Sequence, residues 1–165
     1  MYYQPLKYYK PRENFRGAAL AVNYRDDVKA VFMQVARQTQ EKDANGNFTF
    51  DWNGESITMK LGESDIASIH SLLEGKIGEC KLFHQTDEFN SALSIEKTEY
   101  KDKTYFAFRF SKQDKDKHLR KISIGVSEAE AWLLDCFFRA AVERMFFEPI
   151  QEENSTVSQG ATISG

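Results

Sequence analysis

Cys80 and His84 are the pair of residues in this sequence that comes nearest to a metal site or a nucleophile with its base. They are four positions apart in an alternating segment that predicts a strand, so their side chains point to the same side. Leu82 lies between them on that side, which favours a core or interface stripe over a metal site. The sequence also has no His-x-Glu with Cys-x-x-Cys and no glycine-rich phosphate loop.

The remaining acid–base candidates are isolated. His70 stands alone in a predicted helix, where a packed or half-exposed histidine is a more common finding than a catalyst. Glu128 and Glu130 stand at the start of a second predicted helix, where carboxylates cap the backbone and complement the helix dipole. No catalytic constellation emerges, so we expect a protein that is not an enzyme and that uses no cofactor or metal.

A second set of residues combines rings with positive charge. In the predicted strands the apolar residues share one face, for example Phe106, Phe108 and Phe110. The opposite face then carries Phe32, Lys60, Tyr105, Arg109 and Lys121. Rings stack on bases and cations follow phosphates, so this mixture suits single-stranded nucleic acid. Ordinary cross-strand pairing on a solvated sheet produces the same pattern, and both interpretations stay open.

The elements that position these residues form two similar halves. Alternation predicts strands in the first half over 15–25, 28–39, 48–52 and 55–61, and in the second half over 79–85, 92–100, 104–111 and 119–126. A helix follows each half, the first capped by Ser64 and the second, over 127–146, opened by a Ser127–Glu130 capping box with Trp132 and Leu133 expected to face a core. The prediction is an α+β fold with two four-stranded antiparallel sheets and two helices, a ββββα-ββββα pseudo-duplication.

The segment 15–24, FRGAALAVNY, is unusual for a strand because it carries little side-chain volume. Gly17, Ala19 and Ala21 share one face, and such small residues let a nucleic acid or another backbone approach closely. Arg16 and Tyr24 stand at the ends, where a phosphate contact and a stacking contact would flank that approach. Close packing of two sheets or of two protomers explains the same residues equally well.

Composition describes a single globular domain with segregated charge. The 165 residues are 41% hydrophobic and 28% charged, with a net charge of −3 that argues against a protein coating polyanions generally. Two cysteines and the lack of a signal or transit peptide favour the cytoplasm. We expect a basic, aromatic N-terminal arm over 1–14, a folded domain over 15–147 and a disordered acidic tail over 148–165.

Several short motifs occur in an order that resembles the Whirly single-stranded-DNA-binding proteins. They are RGAAL at 16–20, FDW at 50–52, SDIASI at 64–69, CKLFH at 80–84 and SEAEAWLL at 127–134. The resemblance implies two roughly perpendicular sheets, a helical core and a homotetramer. It also implies that single-stranded DNA runs along sheet edges with little sequence preference. Plant members of the family begin with transit peptides, and this sequence shows no such segment, so we expect a prokaryotic or viral member.

Taken together, these features predict single-stranded-DNA binding in DNA maintenance, that is, replication, repair or recombination. The expected nucleic-acid-binding residues are Arg16, Tyr24, Phe32, Trp52, Lys60, Lys81, Tyr105, Arg109 and Lys121. Trp52 shares its parity with Phe48 and Phe50, which also fits a core position, and Phe83 is an alternative to Lys81. The rival hypotheses are an RNA-binding or transcription-regulating protein of this fold, and an oligomeric interaction scaffold. The acidic tail is expected to bind protein partners or to cover the basic surface.

Overall fold

Two antiparallel sheets, each followed by a helix, make up the computed structural model, which describes residues 4–147. The first half contains β1 (Leu6–Lys10), β2 (Ala18–Arg25), a 3₁₀ turn (Asp26–Val28), β3 (Ala30–Lys42), β4 (Phe48–Phe50), β5 (Ile57–Leu61) and α1 (Glu63–Leu73). The second half contains β6 (Glu79–Gln85), β7 (Phe89–Tyr100), β8 (Lys103–Asp114), β9 (Leu119–Ser127) and α2 (Glu128–Phe146). The predicted α+β class is confirmed.

The strands pair in the order β1-β2-β3-β5 in the first sheet, called sheet 1, and β6-β7-β8-β9 in the second, called sheet 2. The short β4 pairs with the far end of β3, beyond a shift in register between Gln38 and Lys42. Sheet 2 is a simple meander because each of its strands is joined to the next by a local hairpin. None of the helices within residues 4–147 combines the length and apolarity that crossing a bilayer requires.

The first sheet differs from the expected one at its edge. Residues 1–14 were expected to form an arm, but Leu6–Lys10 forms β1, and Leu6 lies opposite Val22 of β2. Pro5 and Pro11 bound this strand, and prolines are tolerated there because an edge strand leaves one row of backbone groups unpaired. The expected strand 48–52 is reduced to β4. The acidic segment 148–165 lies outside the described residues.

The inner faces of both sheets pack with the two helices into one core. Fully buried side chains come from every layer, among them Met33 of β3, Ile69 of α1, Phe108 of β8 and Phe138 of α2. Cys80 and Leu82 are buried in this core, and His84 is half-buried with Nε2 3.0 Å from the Asp65 carboxylate. The Cys80–Leu82–His84 stripe is therefore structural. Residues 4–147 contain no cluster of three or more His, Cys, Asp or Glu placed to hold a metal ion.

Helix α2 begins at the predicted capping box but turns a different face to the core. The Ser127 hydroxyl accepts a hydrogen bond from the Glu130 amide, and the Glu130 carboxylate accepts one from the Ser127 amide. The buried helix residues are Ala131, Leu134, Asp135, Phe138 and Ala141. Trp132 and Leu133, expected in the core, are exposed instead. The apolar stripe of this helix is wider than one face, so its pattern did not define which side is buried.

Strand β1 is joined to α2 by polar contacts around Glu130. The Tyr8 hydroxyl donates to the Glu130 backbone carbonyl at 2.6 Å, and Lys10 Nζ lies 2.5 Å from the Glu130 carboxylate. Burial, together with the nearby Glu130 charge, raises the pKa of Tyr8 to about 12. Burial alone would raise the pKa of Glu130, but the hydrogen bonds from Lys10 and Ser127 outweigh it and lower that pKa. These contacts hold the edge strand in place.

The small residues of β2 pack against the protein itself. Tyr9, Ala19 and Ala36 form one row across β1, β2 and β3, and both alanines are completely buried. The Tyr9 and Phe50 rings meet with centroids 5.5 Å apart, so the two rings cover the alanines on the side away from the core. Of the two explanations offered for FRGAALAVNY, close packing is the one that the structure contains, and it occurs within a single chain.

Gly17 belongs to the same packing because a buried glutamine lies against it. Gln38 Oε1 accepts hydrogen bonds from the amides of Arg12 and Gly17, and Gln38 Nε2 donates to the Arg12 carbonyl. A Cβ at Gly17 would lie 2.3 Å from the Lys10 carbonyl oxygen and 2.4 Å from Gln38 Oε1. The chain therefore needs a residue without a side chain at this position.

We expect Gly17→Ala to destabilise the protein by roughly 1–3 kcal/mol, because the Lys10 carbonyl oxygen and the Gln38 side chain must move to admit the methyl group. Urea unfolding monitored by circular dichroism measures the change. Gly125→Ala is the matched control, since a Cβ at Gly125 has no atom within 4 Å, and its stability should equal that of the parent or slightly exceed it. Equal stability of both variants would contradict the packing described for Gly17.

Candidate nucleic-acid interface

The face of sheet 2 turned away from the core, called its outer face, brings together residues from all four strands. The register places Lys81, Ser94, Arg109 and Ser123 in one row across the sheet. The next row contains Phe83, Ala92, Ser111 and Lys121. Their neighbours in sequence, such as Leu82 and Phe110, point inward and are buried. Strict alternation along the strands therefore presents these eight residues together.

These two rows form a shallow groove of about 440 Å³, called the sheet 2 groove. Its floor consists of the small residues Ala92, Ser94, Ser111 and Ser123, whose side chains rise little above the backbone. Lys81, Phe83, Arg109 and Lys121 stand around that floor, and the Phe83 side chain is 62% exposed. A planar ring or a sugar–phosphate backbone can therefore approach the sheet closely between cations.

The charge of the groove is partly neutralised by neighbouring carboxylates. Lys81 Nζ lies 3.0 Å from the Glu79 carboxylate, and an Arg109 guanidinium nitrogen lies 2.8 Å from that of Glu96. All four side chains of these pairs are more than half exposed, so each pair is weak and exchanges readily for another anion. The Lys121 ammonium has no hydrogen-bond or ion-pair partner within residues 4–147.

This arrangement can bind an anionic chain that carries planar groups. Three cations can contact successive phosphates, and the exposed Phe83 ring offers a surface for a base. Of the predicted site residues, Lys81, Arg109 and Lys121 therefore lie together in one groove. Phe83, considered from the sequence only as an alternative to Lys81, lies beside Lys81 on the rim. Glu79 and Glu96, the carboxylates that pair with the cations, were not foreseen, because exposed charges on a sheet do not reveal their partners in the sequence.

Tyr105 occupies the same outer face but lies outside the groove. It faces Thr98 of β7 and Ser127 of β9, two rows beyond Arg109 along β8. Its half-buried ring lines a second depression, where sheet 2 meets β1. Tyr9 of β1 also reaches this depression. The sequence does not predict this position, because its pattern predicts residues 1–14 as an arm outside the sheet.

Phe32 and Lys60 lie on the outer face of sheet 1, away from the groove. They form one row with Asn23 across β2, β3 and β5. The Arg25 guanidinium lies 5.5 Å from the centre of the Phe32 ring. Lys60 is exposed. Sheet 1 thus offers a smaller set of cation and ring, and its middle is occupied by Gln34, which binds the loop after β4.

Trp52 and Arg16 lie in loops. The Trp52 carbonyl accepts hydrogen bonds from Gln34 Nε2 and the Ser56 hydroxyl, both at 2.8 Å, and its side chain is half-buried outside the core cluster. Arg16 precedes β2, and its amide donates to Asn14 Oδ1 at 3.1 Å. Its side chain is exposed. Neither residue contacts the sheet 2 groove.

Tyr24 is not available for stacking, so its predicted role is wrong. Its side chain is buried in the core together with Leu20 and Val22, which occupy alternate positions of the same strand. The reason is strand parity, because residue 24 shares the face of residues 20 and 22 and lies opposite the face of Ala19 and Ala21. The ring therefore fills space between the sheets and helices.

The helices carry a polar cluster that is structural. His70 Nδ1 lies 2.6 Å from the Asp135 carboxylate, and His70 Nε2 lies 3.2 Å from that of Glu74. Arg139 bridges the same two carboxylates at 3.0 and 3.2 Å. These contacts join α1 to α2 and agree with the expectation of a packed histidine.

Comparison with known proteins gives matches in structure and none in sequence. The sequence matches no protein-family model and no curated protein. The structure is similar to WHY1 from Arabidopsis thaliana, with 20% identity, a TM-score of 0.69 and coverage of 88% of this chain and 86% of that chain. It is also similar to the plant transcriptional regulator PBF-2, with 20% identity, a TM-score of 0.66 and coverage of 90% and 98%.

A protist structure, MRP1/MRP2 from Trypanosoma brucei, has the same architecture. It is 17% identical, with a TM-score of 0.62 and coverage of 84% of this chain and 83% of that chain. These neighbours are Whirly proteins. The chain therefore has the Whirly fold, as the order of its motifs predicted. At this level of identity the likeness establishes the fold alone.

We expect Glu96→Gln to strengthen polyanion binding by up to about 5-fold, because it frees Arg109 from an exposed ion pair worth about 0.2–1 kcal/mol. Competition with soluble heparin, a polyanion without bases, measures this change. Glu99→Gln is the matched control: it removes the same charge from the same strand, but Glu99 lies opposite Thr104 and away from Arg109. An equal gain in both variants would mean that only net charge matters.

Proposed function

We propose that this protein binds single-stranded DNA with little sequence preference, through the sheet 2 groove and without enzymatic activity. The observation that carries the proposal is the convergence of Lys81, Arg109 and Lys121 beside the exposed Phe83 ring over a floor of small residues. Phosphate contacts fix the position of a strand without reading its sequence, and a ring accepts any base. Both interactions therefore tolerate sequence variation.

The shape of the groove supports a single strand over a duplex. In a duplex the bases are stacked on one another, so the Phe83 ring finds a free base only on an unpaired strand. Sequence-specific duplex binding commonly inserts a helix or a two-stranded ribbon into the major groove. The groove here is instead a concave surface on the broad face of a four-stranded sheet, which suits a flexible single strand.

The fold supports a nucleic-acid role and also suggests a second candidate. A strand binder without sequence preference suits DNA maintenance, in replication, repair or recombination. PBF-2, which shares the fold, is described as a transcriptional regulator, and this observation favours regulation of transcription as the alternative. Cys80 and Cys136 are both free, which supports the proposal of a reducing cytoplasmic compartment.

We further propose that the chain assembles as a homotetramer through α2. Trp132 and Leu133 are exposed on this helix, and Phe146 and Phe147 are exposed at its end. Exposed large apolar side chains, here at both ends of one helix, are typical of an interaction surface. A second copy is the proposed occupant because a tetramer would bring several sheet 2 grooves together, and one strand could then contact more than one of them.

Binding is tested by fluorescence-anisotropy titration with a labelled dT oligomer of about 30 nucleotides, at several salt concentrations. For the wild-type protein we expect tighter binding to dT than to duplex DNA, with log K falling as log salt rises. Lys121→Gln should weaken dT binding and reduce the slope by about 0.7, the value for one phosphate contact on a single strand. Lys60→Gln is the matched control, since it removes the same charge from the outer face of sheet 1.

Equal effects of Lys121→Gln and Lys60→Gln would contradict the sheet 2 groove as the binding site. Tighter binding to an RNA oligomer of the same length would replace DNA by RNA as the ligand, since both are recognised by stacking on unpaired bases. Absence of binding to every nucleic acid at low salt and micromolar protein would favour the interaction scaffold.

Assembly is tested by light scattering coupled to size-exclusion chromatography. We expect a mass near four times the 19.0 kDa of one chain. Leu133→Glu should lower that mass because it places a charge in the proposed apolar contact. Leu119→Glu is the matched control, because Leu119 on β9 is 48% exposed and Leu133 is 47% exposed. A wild-type monomer, or the same mass for Leu133→Glu, would overturn the proposal.

A further inference from the structure

A second cleft, lined by tyrosines, lies where the outer face of sheet 2 meets the edge strand β1. The β1 side contributes Tyr9, Lys10 and Arg12. The sheet 2 side contributes Tyr100, Tyr105 and Gly125. The cleft has a volume of about 490 Å³, and it is called the tyrosine cleft below. None of these residues takes part in the sheet 2 groove.

The tyrosine cleft and the sheet 2 groove lie on the same outer face, separated by one row that consists of Glu79, Glu96, Ala107 and Gly125. Along β8, Arg109, Ala107 and Tyr105 occupy successive outer positions, and Gly125 faces Ala107 on β9. Tyr105 is four residues from Arg109, a distance of roughly 13 Å along the strand. On β8 and β9 the floor between them is formed by the alanine and the glycine, so no large side chain of these two strands separates the groove from the cleft. The carboxylates of Glu79 and Glu96 lie in the same row on β6 and β7, where they pair with Lys81 and Arg109.

The rings of the cleft are accessible. Tyr100 stands at the end of the β7–β8 hairpin with 62% of its surface exposed, and Tyr9 is 51% exposed. The hairpin places the Tyr100 ring on the outer face through a tight turn in which Lys101 and Asp102 both have positive φ, 49° and 60°. Three tyrosines in one cleft present flat surfaces with polar ends, the arrangement that unpaired bases stack on.

The charge of the cleft is also positive. Lys10 and Arg12 line it, and no acidic side chain does. Lys10 is engaged with Glu130, whereas the Arg12 guanidinium has no hydrogen-bond or ion-pair partner among residues 4–147 and is exposed. The Lys101 ammonium lies 5.2 Å from the centre of the Tyr100 ring. Cations therefore flank the rings on both sides of the cleft.

From the shared outer face, the small residues between the two sites and the exposed rings, we infer that the tyrosine cleft is a base-stacking subsite for the same nucleic-acid strand that occupies the sheet 2 groove. The strand passes over Ala107 and Gly125, places its bases against Tyr105, Tyr100 and Tyr9, and directs phosphates toward Arg12. This inference rests on the proposed function. It adds a second site on the same chain, on the opposite side of Arg109 from Phe83, which lengthens the stretch of strand that one chain contacts.

The test compares two double variants of the full chain. Tyr9→Leu with Tyr100→Leu removes both rings, whereas Tyr9→Phe with Tyr100→Phe keeps them and removes only the hydroxyls. Loss of stacking on one base corresponds to about 5-fold or more in affinity. We therefore expect the leucine pair to weaken binding of the dT oligomer by at least about 5-fold and the phenylalanine pair to bind as the wild type does. Thermal unfolding of each variant confirms that the fold is kept.

Photocrosslinking gives a second readout that does not depend on substitution. A dT oligomer carrying 5-iodouracil, irradiated in complex with the wild-type protein, should crosslink to peptides containing Tyr9 or Tyr100, as identified by mass spectrometry. Crosslinks confined to the peptide with Phe83, together with unchanged affinity of the leucine pair and weakened affinity of Lys121→Gln, would overturn the tyrosine cleft and leave the groove in place. Absence of binding by the wild type would instead overturn the proposed function on which the cleft depends.

Discussion

Burial of one face of each sheet against a single shared core is the constraint on which the rest of this structure depends. Successive strand residues point to opposite faces, so burying Phe106, Phe108 and Phe110 in β8 necessarily turns Tyr105 and Arg109 outward. A shift of one residue in register would exchange the two faces and place an arginine in the core. The core thus determines which side chains are available on the outer surface, and the candidate interface follows from its packing.

Small residues are covered by aromatic rings in sheet 1 but line an open groove in sheet 2. In sheet 1, Ala19 of β2 and Ala36 of β3 are completely buried in the row of Tyr9, whose ring meets that of Phe50. In sheet 2 the small residues of β7, β8 and β9 form an open floor between long cations. The rings that cover sheet 1 come from β1 and β4, whereas within residues 4–147 the small residues of sheet 2 line an open groove. The covering elements therefore decide which sheet keeps a groove.

For binding an anion in the sheet 2 groove, the local arrangement of charge matters more than the net charge of the chain. A chain of net charge −3 can still present three cations in one groove, since exposed charges act over about 8–10 Å at physiological ionic strength. Two of those cations form ion pairs within the chain, Lys81 with Glu79 and Arg109 with Glu96. A phosphate chain must displace these carboxylates. Breaking an exposed ion pair costs little free energy, but the competition lowers the affinity of the groove for small anions.

The sequence by itself determined the two halves, their helices and the outward face of sheet 2, because period two and the Ser127–Glu130 capping box are local signals. The predicted Ser64 cap was wrong, since α1 begins at Glu63 with Gly62 as its N-cap. It did not reveal β1, whose short alternation between two prolines becomes a strand only by pairing with β2. Nor did it separate the groove residues Lys81, Arg109 and Lys121 from Phe32 and Lys60 of the other sheet, because all five lie on outward faces of their strands. Which outward residues meet depends on the order of strands and on how two sheets share a core, and both arise from contacts between residues far apart in the chain.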